Sequence, residues 1–266
     1  MGKNEISAAE LKQRYDSFAN TLDYNTTASD YNLREIEIDK ASEYMCDGKK
    51  TLDIGCGLGY AVSQYASRFK IEAHGVDYSE NMVKGAEILR DKNYPEIVNR
   101  TFFHHASVTE LPFESDTFDV ITSSRCLMAL LDWDLQKIAL KELHRVLKPG
   151  GIFVMMEGTN EGLDKLNNVR EMFELEPIDA KGSDRLFTEK FSEKDLLEYV
   201  KPFFIHENTC RFGMYYFLTR VVQPLLVSPE QPSYDHKLNA IARQISRLIP
   251  DFDGLGHLVA FIFQKR

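Results

Sequence analysis

Excess positive charge is missing from this chain of 266 residues: 32 lysines and arginines face 41 aspartates and glutamates, a net charge of −9. Such a surface repels phosphodiester backbones and argues against a nucleic-acid partner. Cysteines are few, at 46, 56, 126 and 210, with no Cys-x-x-Cys pair and no histidine cluster at zinc spacing. A disulfide framework and a metal site are therefore not expected, and free thiols suit a reducing, cytoplasmic setting. No run approaches the ~18 apolar residues of a membrane span. Residues 1–6 lack the apolar stretch of a signal peptide, and Ile6 stands where a myristoylation signal needs Ser or Thr.

What is present suits an α/β protein: 43% hydrophobic and 27% charged residues can bury a core without staples. Leu11, Tyr15, Phe18 and Leu22 repeat at helical spacing, with Ser7 and Glu10 as a capping box. Leu33, Ile36, Ala41, Tyr44 and Met45 form a looser second stripe. From residue 50, strands (51–54, 71–77, 101–106, 118–123, 152–156) alternate with helices (60–69, a Ser79-capped helix to 92, and 135–147). Lys148-Pro149-Gly150-Gly151 should end the last helix and turn the chain. Residues 159–190 show no clear strand. Ser192 caps a helix to 200, a strand covers 203–211, and 255–264 reads as the closing strand. Residues 213–253 hold aromatics and Pro224, Pro229, Pro232 and Pro250. The alternation predicts a doubly wound, largely parallel sheet. The division expected is a helical cap (1–48), a ligand-binding core (49–158), and a C-terminal part (159–266) with cap insertions at about 159–190 and 213–253.

The strongest motif is Thr51-Leu52-Asp53-Ile54-Gly55-Cys56-Gly57-Leu58-Gly59-Tyr60. Strand, glycines and helix in that order let a backbone approach a nucleotide-like ligand closely. Asp77 ends the next strand, where a carboxylate can accept from both ribose hydroxyls. A dinucleotide fingerprint needs a third glycine at position 60 and finds Tyr60, which disfavours NAD; no lysine in the turn excludes a P-loop.

Leu52-Asp53-Ile54-Gly55-Cys56-Gly57-Leu58-Gly59 resembles the first motif of class I S-adenosylmethionine-dependent methyltransferases. Gly75-Val76-Asp77-Tyr78-Ser79-Glu80-Asn81-Met82 resembles the second segment. Leu111-Pro112-Phe113 with Phe118-Asp119-Val120-Ile121 resembles the third, and the stretch from Glu142 to Gly151 the helix and turn before strand five. The resemblance covers 50–158 in order. It implies a Rossmann-like sheet of about seven strands, mostly parallel with an antiparallel last strand, under a helical cap. It also implies S-adenosylmethionine as cofactor. Asp53, Gly55 and Gly57 would hold its methionine part, Asp77 its ribose, and Tyr78 and Met82 its adenine. Ser107 stands where the family commonly has an adenine-facing acid, followed by Val108. Ser124 would border the methionine tail, while Tyr15 and Tyr24 lie where relatives' N-terminal helices cover the cofactor.

The implied reaction is methyl transfer to an oxygen or nitrogen of a small molecule, anionic ones included. The alternatives are a non-catalytic cofactor-binding regulator and, less favoured, an NAD oxidoreductase. Ser123-Ser124-Arg125-Cys126 replaces the Asn/Asp-Pro-Pro-Tyr/Phe motif of nucleic-acid and protein methylators. Glu157, at a strand's carboxyl end, is a candidate general base. Arg125, with Arg211, could clamp an anionic acceptor, and Tyr215 and Tyr216 could line its pocket. Arg220 is expected at the surface, His206 and His257 as structural residues on outer strands. No membrane partner is expected; a homodimer is admitted.

Overall fold

The computed structural model describes residues 8–178, 187–249, 251 and 254–266. Two helices, α1 (Ala8–Ala19) and α2 (Tyr31–Ser42), precede the sheet. The capping serine expected for α1, Ser7, lies outside the described residues. The second helix stops at Ser42, so Tyr44 and Met45 fall in the turn beyond it.

The alternation then runs β1 (Lys50–Ile54), α3 (Tyr60–Arg68), β2 (Glu72–Asp77), α4 (Glu80–Asn93) and β3 (Thr101–His105). It continues as β4 (Phe118–Ser124), α5 (Trp133–Val146) and β5 (Leu147–Gly158). Caps follow local chemistry: the Ser79 hydroxyl accepts from Met82 N at 3.1 Å, and Asp132 accepts from Asp134 N. On α5, Ala139, Leu140, Leu143 and Val146 are all buried, the single apolar stripe of a helix lying on a sheet. Lys148-Pro149-Gly150-Gly151 does not precede the fifth strand but bulges within its start: Phe118 pairs with Leu147, and Val120 already with Ile152.

The chain goes on through α6 (Asn160–Met172), α7 (Glu193–Val200) and β6 (Phe204–Cys210). A continuous helical stretch follows, comprising α8 (Gly213–Phe217), a π turn and α9 (Gln223–Val227). Then come α10 (Lys237–Leu248) and β7 (Leu258–Lys265). The helix α6 is unannounced in the residue pattern, because its polar face outweighs the three positions it buries, Gly162, Leu163 and Leu166. The closing strand begins at Leu258 because Leu255, Gly256 and His257 form the turn into it.

Seven strands form one sheet in the order β3-β2-β1-β4-β5-β7-β6. Only β7 runs antiparallel to its neighbours. Buried on both faces, β7 reads as an unbroken apolar run from Leu258 to Phe263. The strand order reverses between β1 and β4, and their carboxyl ends open the crevice in which such sheets bind ligands. Among the described residues no helix is long and apolar enough to cross a membrane.

The helix α2 is tied across the molecule by Asp30, which caps it by accepting from Leu33 N at 3.2 Å. Asp30 also accepts from the Tyr215 hydroxyl at 2.6 Å and pairs with Arg220. Arg220, expected at the surface, is therefore a buried ion-pair partner. Breaking a buried pair leaves an uncompensated charge, so Asp30→Ala should cost about 3–5 kcal/mol of stability. Urea unfolding would check this.

Candidate active site

The glycine turn leaves β1 with Gly55, Gly57 and Gly59 all at positive φ (64°, 53° and 76°). A side chain at 55 would overlap Cys126, and one at 59 would overlap Phe103. At Gly57 the space is open, its nearest neighbour the Thr27 hydroxyl at 3.9 Å. Gly55 and Gly59 thus serve packing, and Gly57 presents bare backbone to the crevice. Beside it, Asp77 accepts from Gly57 N and Ser79 N, both at 2.9 Å. Burial pushes its carboxyl up, against the pull of those two amides.

Asp53 is nearly enclosed at the end of β1 and accepts from the Thr122 hydroxyl at 2.6 Å. Burial, with Asp77 adding to it, pushes the Asp53 carboxyl up to about 7. Burial likewise raises the Cys56 and Cys126 thiols, which makes them poor nucleophiles.

The exit of β4 is built on two buried carboxylates. Glu157 is fully buried and accepts from the Ser123 hydroxyl and from the amides of Cys126, Leu127 and Met128 at 3.0–3.2 Å. With four donors on it, Glu157 anchors the 126–128 loop, while burial raises its carboxyl, so a general-base role would have to act through a group already serving four bonds. Glu37, from the buried face of α2, takes Arg125 in a bidentate pair at 2.5 and 2.9 Å. It also accepts from Ser124 Oγ at 3.2 Å. Arg125 is therefore matched by Glu37, with which an anionic acceptor would have to compete.

The other expected acceptor residues are likewise engaged. Arg211 forms a bidentate pair with Glu193 at 2.8 and 2.5 Å, joining β6 to α7 rather than facing an anion. Tyr215 is buried on Asp30, away from an open pocket. Tyr216 is buried as well, but its ring meets His257 edge-on at 5.1 Å.

On the cofactor side, Tyr15 packs against a cluster of Ala19, Leu58, Met82 and Leu89 beneath α1. Tyr24 also packs on that cluster and lies against Tyr60 at 4.9 Å. Met82 is fully buried there, so it is core rather than an open adenine face. Tyr78 is more than half exposed beside Asp77. Ser107 Oγ accepts from Thr109 N and bonds Thr109 Oγ1 at 2.7 Å, which closes a local turn. Val108 packs into the core cluster on the α5 face of the sheet.

Two features escaped sequence reasoning. Glu37 shares the 33–37–41 stripe with Leu33 and Ala41; an acid at that spacing was the available signal. His257 was assigned to an outer strand, yet it sits in the turn at the carboxyl end of β5, where its carbonyl accepts from Thr159 N at 2.8 Å.

Strand order, glycine turn and acidic β2 end together define a doubly wound, Rossmann-like fold. Residues 52–155 match the methyltransferase domain family. The chain is 33% identical over 138 residues to a ubiquinone/menaquinone biosynthesis C-methyltransferase UbiE of Vibrio campbellii, covering 51% of each chain. It is 39% identical over 117 residues to a demethylmenaquinone methyltransferase of Lysinibacillus sphaericus, covering 41% of this chain and 44% of that one. The chain thus spans about half the length of the curated relatives it matches. Among solved structures, the [4+2]-cyclase SpnF superposes over all of this chain and 99% of its own, with TM-score 0.64 and 17% identity. A geranyl diphosphate C-methyltransferase of Streptomyces coelicolor, solved with S-adenosyl-L-homocysteine, reaches TM-score 0.57 at 14% identity, covering 89% and 80%. The likeness thus runs from β1 through the glycine turn to β5.

The raised Asp53 pKa has a consequence for stability. The folded chain keeps a proton that an unfolded Asp, at 3.8, releases. The resulting stability is complete below the unfolded value and is lost as pH rises through about 7. Asp53→Asn should flatten stability between pH 5 and 8 by roughly 2 kcal/mol relative to the native chain. Denaturant melts at four pH values would measure it, and parallel curves would refute it.

Proposed function

We propose that the protein transfers the methyl group of S-adenosylmethionine to a small-molecule acceptor. The bare backbone at Gly57 beside the Asp77 carboxylate carries this reading, because it leaves room for a ligand against a hydrogen-bonding acid. Asp53, Gly55 and Gly57 would hold the methionine part and Asp77 the ribose, with Tyr24, Tyr78 and Ser124 at the margins. Both Asp77 oxygens keep a lone pair after serving Gly57 and Ser79, so ribose hydroxyls could still donate to it. When bound, S-adenosylmethionine supplies an electrophilic methyl: an acceptor lone pair bonds its carbon while the carbon–sulfur pair stays on sulfur as a neutral thioether. The chain's own task is alignment and exclusion of water, which α1, Tyr24 and the Glu37–Arg125 pair serve by covering the crevice.

The family match ends with β5, whereas Glu37, Tyr216 and His257 lie outside it. The acceptor is therefore set by parts that the relatives' names do not describe. Those names include carbon methylation, which widens the expected acceptor atoms from oxygen and nitrogen to carbon. A fold shared with a [4+2]-cyclase keeps a second reading alive, that of a cofactor-bound site doing other chemistry.

S-adenosylhomocysteine should raise the melting temperature and NAD should not. Asp77→Ala should weaken S-adenosylhomocysteine binding by roughly 1–3 kcal/mol; unchanged affinity in calorimetry removes Asp77 from the site. Methyl-labelled cofactor, incubated with a metabolite extract, should leave label in a small-molecule fraction. Cofactor binding without any transfer favours the second reading.

A further inference from the structure

The helix α10 sits on the protein with its polar side inward. Asn239 and Ala242 are its fully buried residues, and Asn239 Oδ1 accepts from Gln223 Nε2 at 2.8 Å. Asn239 Nδ2, Arg243 Nε and Ser246 Oγ are buried too, with no partner among the described residues. At about 100° per residue, positions 239, 242, 243 and 246 share one face. Leu238, Ile241, Ile245 and Leu248 share another, and that one is turned outward. Ile241 is 44% exposed, Leu248 83%, and Ile249, just past the helix, 49%. A helix that served only to close the core would carry these side chains inside. The placement is held by Gln223 on Asn239 and by Arg247, which pairs with Asp39 of α2 at 2.5 Å.

The apolar surface does not end with α10. The helices α6, α9 and α10 all pack on the π turn Leu218–Val222. Met172 and Phe173 are exposed at the end of α6, and Leu225 and Leu226 on α9. Single exposed apolar residues are ordinary, whereas a set gathered on neighbouring elements marks a contact surface. Charge decides what it contacts. The helix carries Lys237, Arg243 and Arg247 and no acid, although the whole chain has a net charge of −9. Two copies meeting through α10 would set these cations against one another. Lys237 is exposed and stands one turn from Ile241, at the margin of the apolar stripe. An anionic bilayer offers an apolar layer and a negative rim to such a face at once.

We propose that α10 is an interfacial helix that docks the protein on an anionic lipid surface. Ile241, Ile245, Leu248 and Ile249 enter the boundary of the acyl chains, and Lys237 meets the lipid phosphates. Arg243 and Arg247 add to the attraction at longer range. Docking of this kind lays a helix in the plane of the surface and needs no spanning segment. Because Arg247 ties α10 to α2, and Glu37 of α2 ties that helix to the exit of β4, docking also fixes how the crevice faces the lipid. The inference is independent of the methyltransferase reading, since no residue of α10 belongs to the candidate active site.

The test is flotation of the full chain with vesicles of phosphatidylcholine, with and without phosphatidylglycerol. The native protein should float with the anionic vesicles, more weakly with the neutral ones, and be partly released by salt. Ile241→Ser and Leu248→Ser should each weaken binding about tenfold. Lys237→Gln should weaken it about fivefold on anionic vesicles and leave the neutral ones unchanged. Leu135→Ser, at an equally exposed leucine of α5, should bind as the native chain does. Equal urea midpoints for all five proteins would certify the fold. No flotation of the native chain, or equal flotation of Ile241→Ser and Leu248→Ser, overturns the inference. A dimer that Leu248→Ser dissolves, seen by light scattering without vesicle binding, assigns the stripe to a second copy and overturns it as well.

Discussion

The Glu37–Arg125 pair is the interaction on which the upper half of the molecule depends. Glu37 is almost wholly buried, and a carboxylate there is tolerable only because a bidentate guanidinium and the Ser124 hydroxyl meet it. The contact pins α2 to the exit of β4. Arg125 itself stands at φ 55°, in the left-handed region that few non-glycine residues adopt. At the other end of the same helix, Asp30 gathers Arg220, Tyr215 and its own helix amides. One helix therefore ties the N-terminal segment, the glycine-turn core and the C-terminal helices into a single wall around the crevice.

A division of labour among buried acids follows. Glu37, Glu157 and Asp30 spend their lone pairs on the protein itself and set the positions of loops. Asp77 and Asp53 stand at strand ends with capacity left for a ligand. Arg125 and Arg211, attractive as anion clamps in sequence, are instead each matched to a carboxylate, since an isolated guanidinium at such burial would be costly. This leaves the acceptor side without an unmatched arginine among those proposed.

Much of the cofactor half could be read from the residues, because its signals are local. Strand, three glycines and helix lie within ten positions, and Asp77 ends the very next strand. Seven strands and the Ser79 and Ser192 caps could be read for the same reason: alternation and capping act within a turn or two of themselves. The reading failed at α6, whose buried stripe is too thin to announce a helix, and at the Lys148–Gly151 stretch, where pairing with β4 turned an expected stop into a bulge.

The acceptor side was a matter of tertiary structure. Glu37 and Arg125 are 88 residues apart, and Asp30 and Arg220 are 190 apart. No pattern within a window links such pairs; only the sheet order and the return of β7 beside β5 do. The same return sets His257 in the turn beside the carboxyl end of β5. The sequence by itself determined a Rossmann-like core with its glycine turn, since those features are written in short-range spacing. Which polar side chains are consumed by the protein and which remain for a ligand was decided by burial and long-range pairing, and so appeared only in three dimensions.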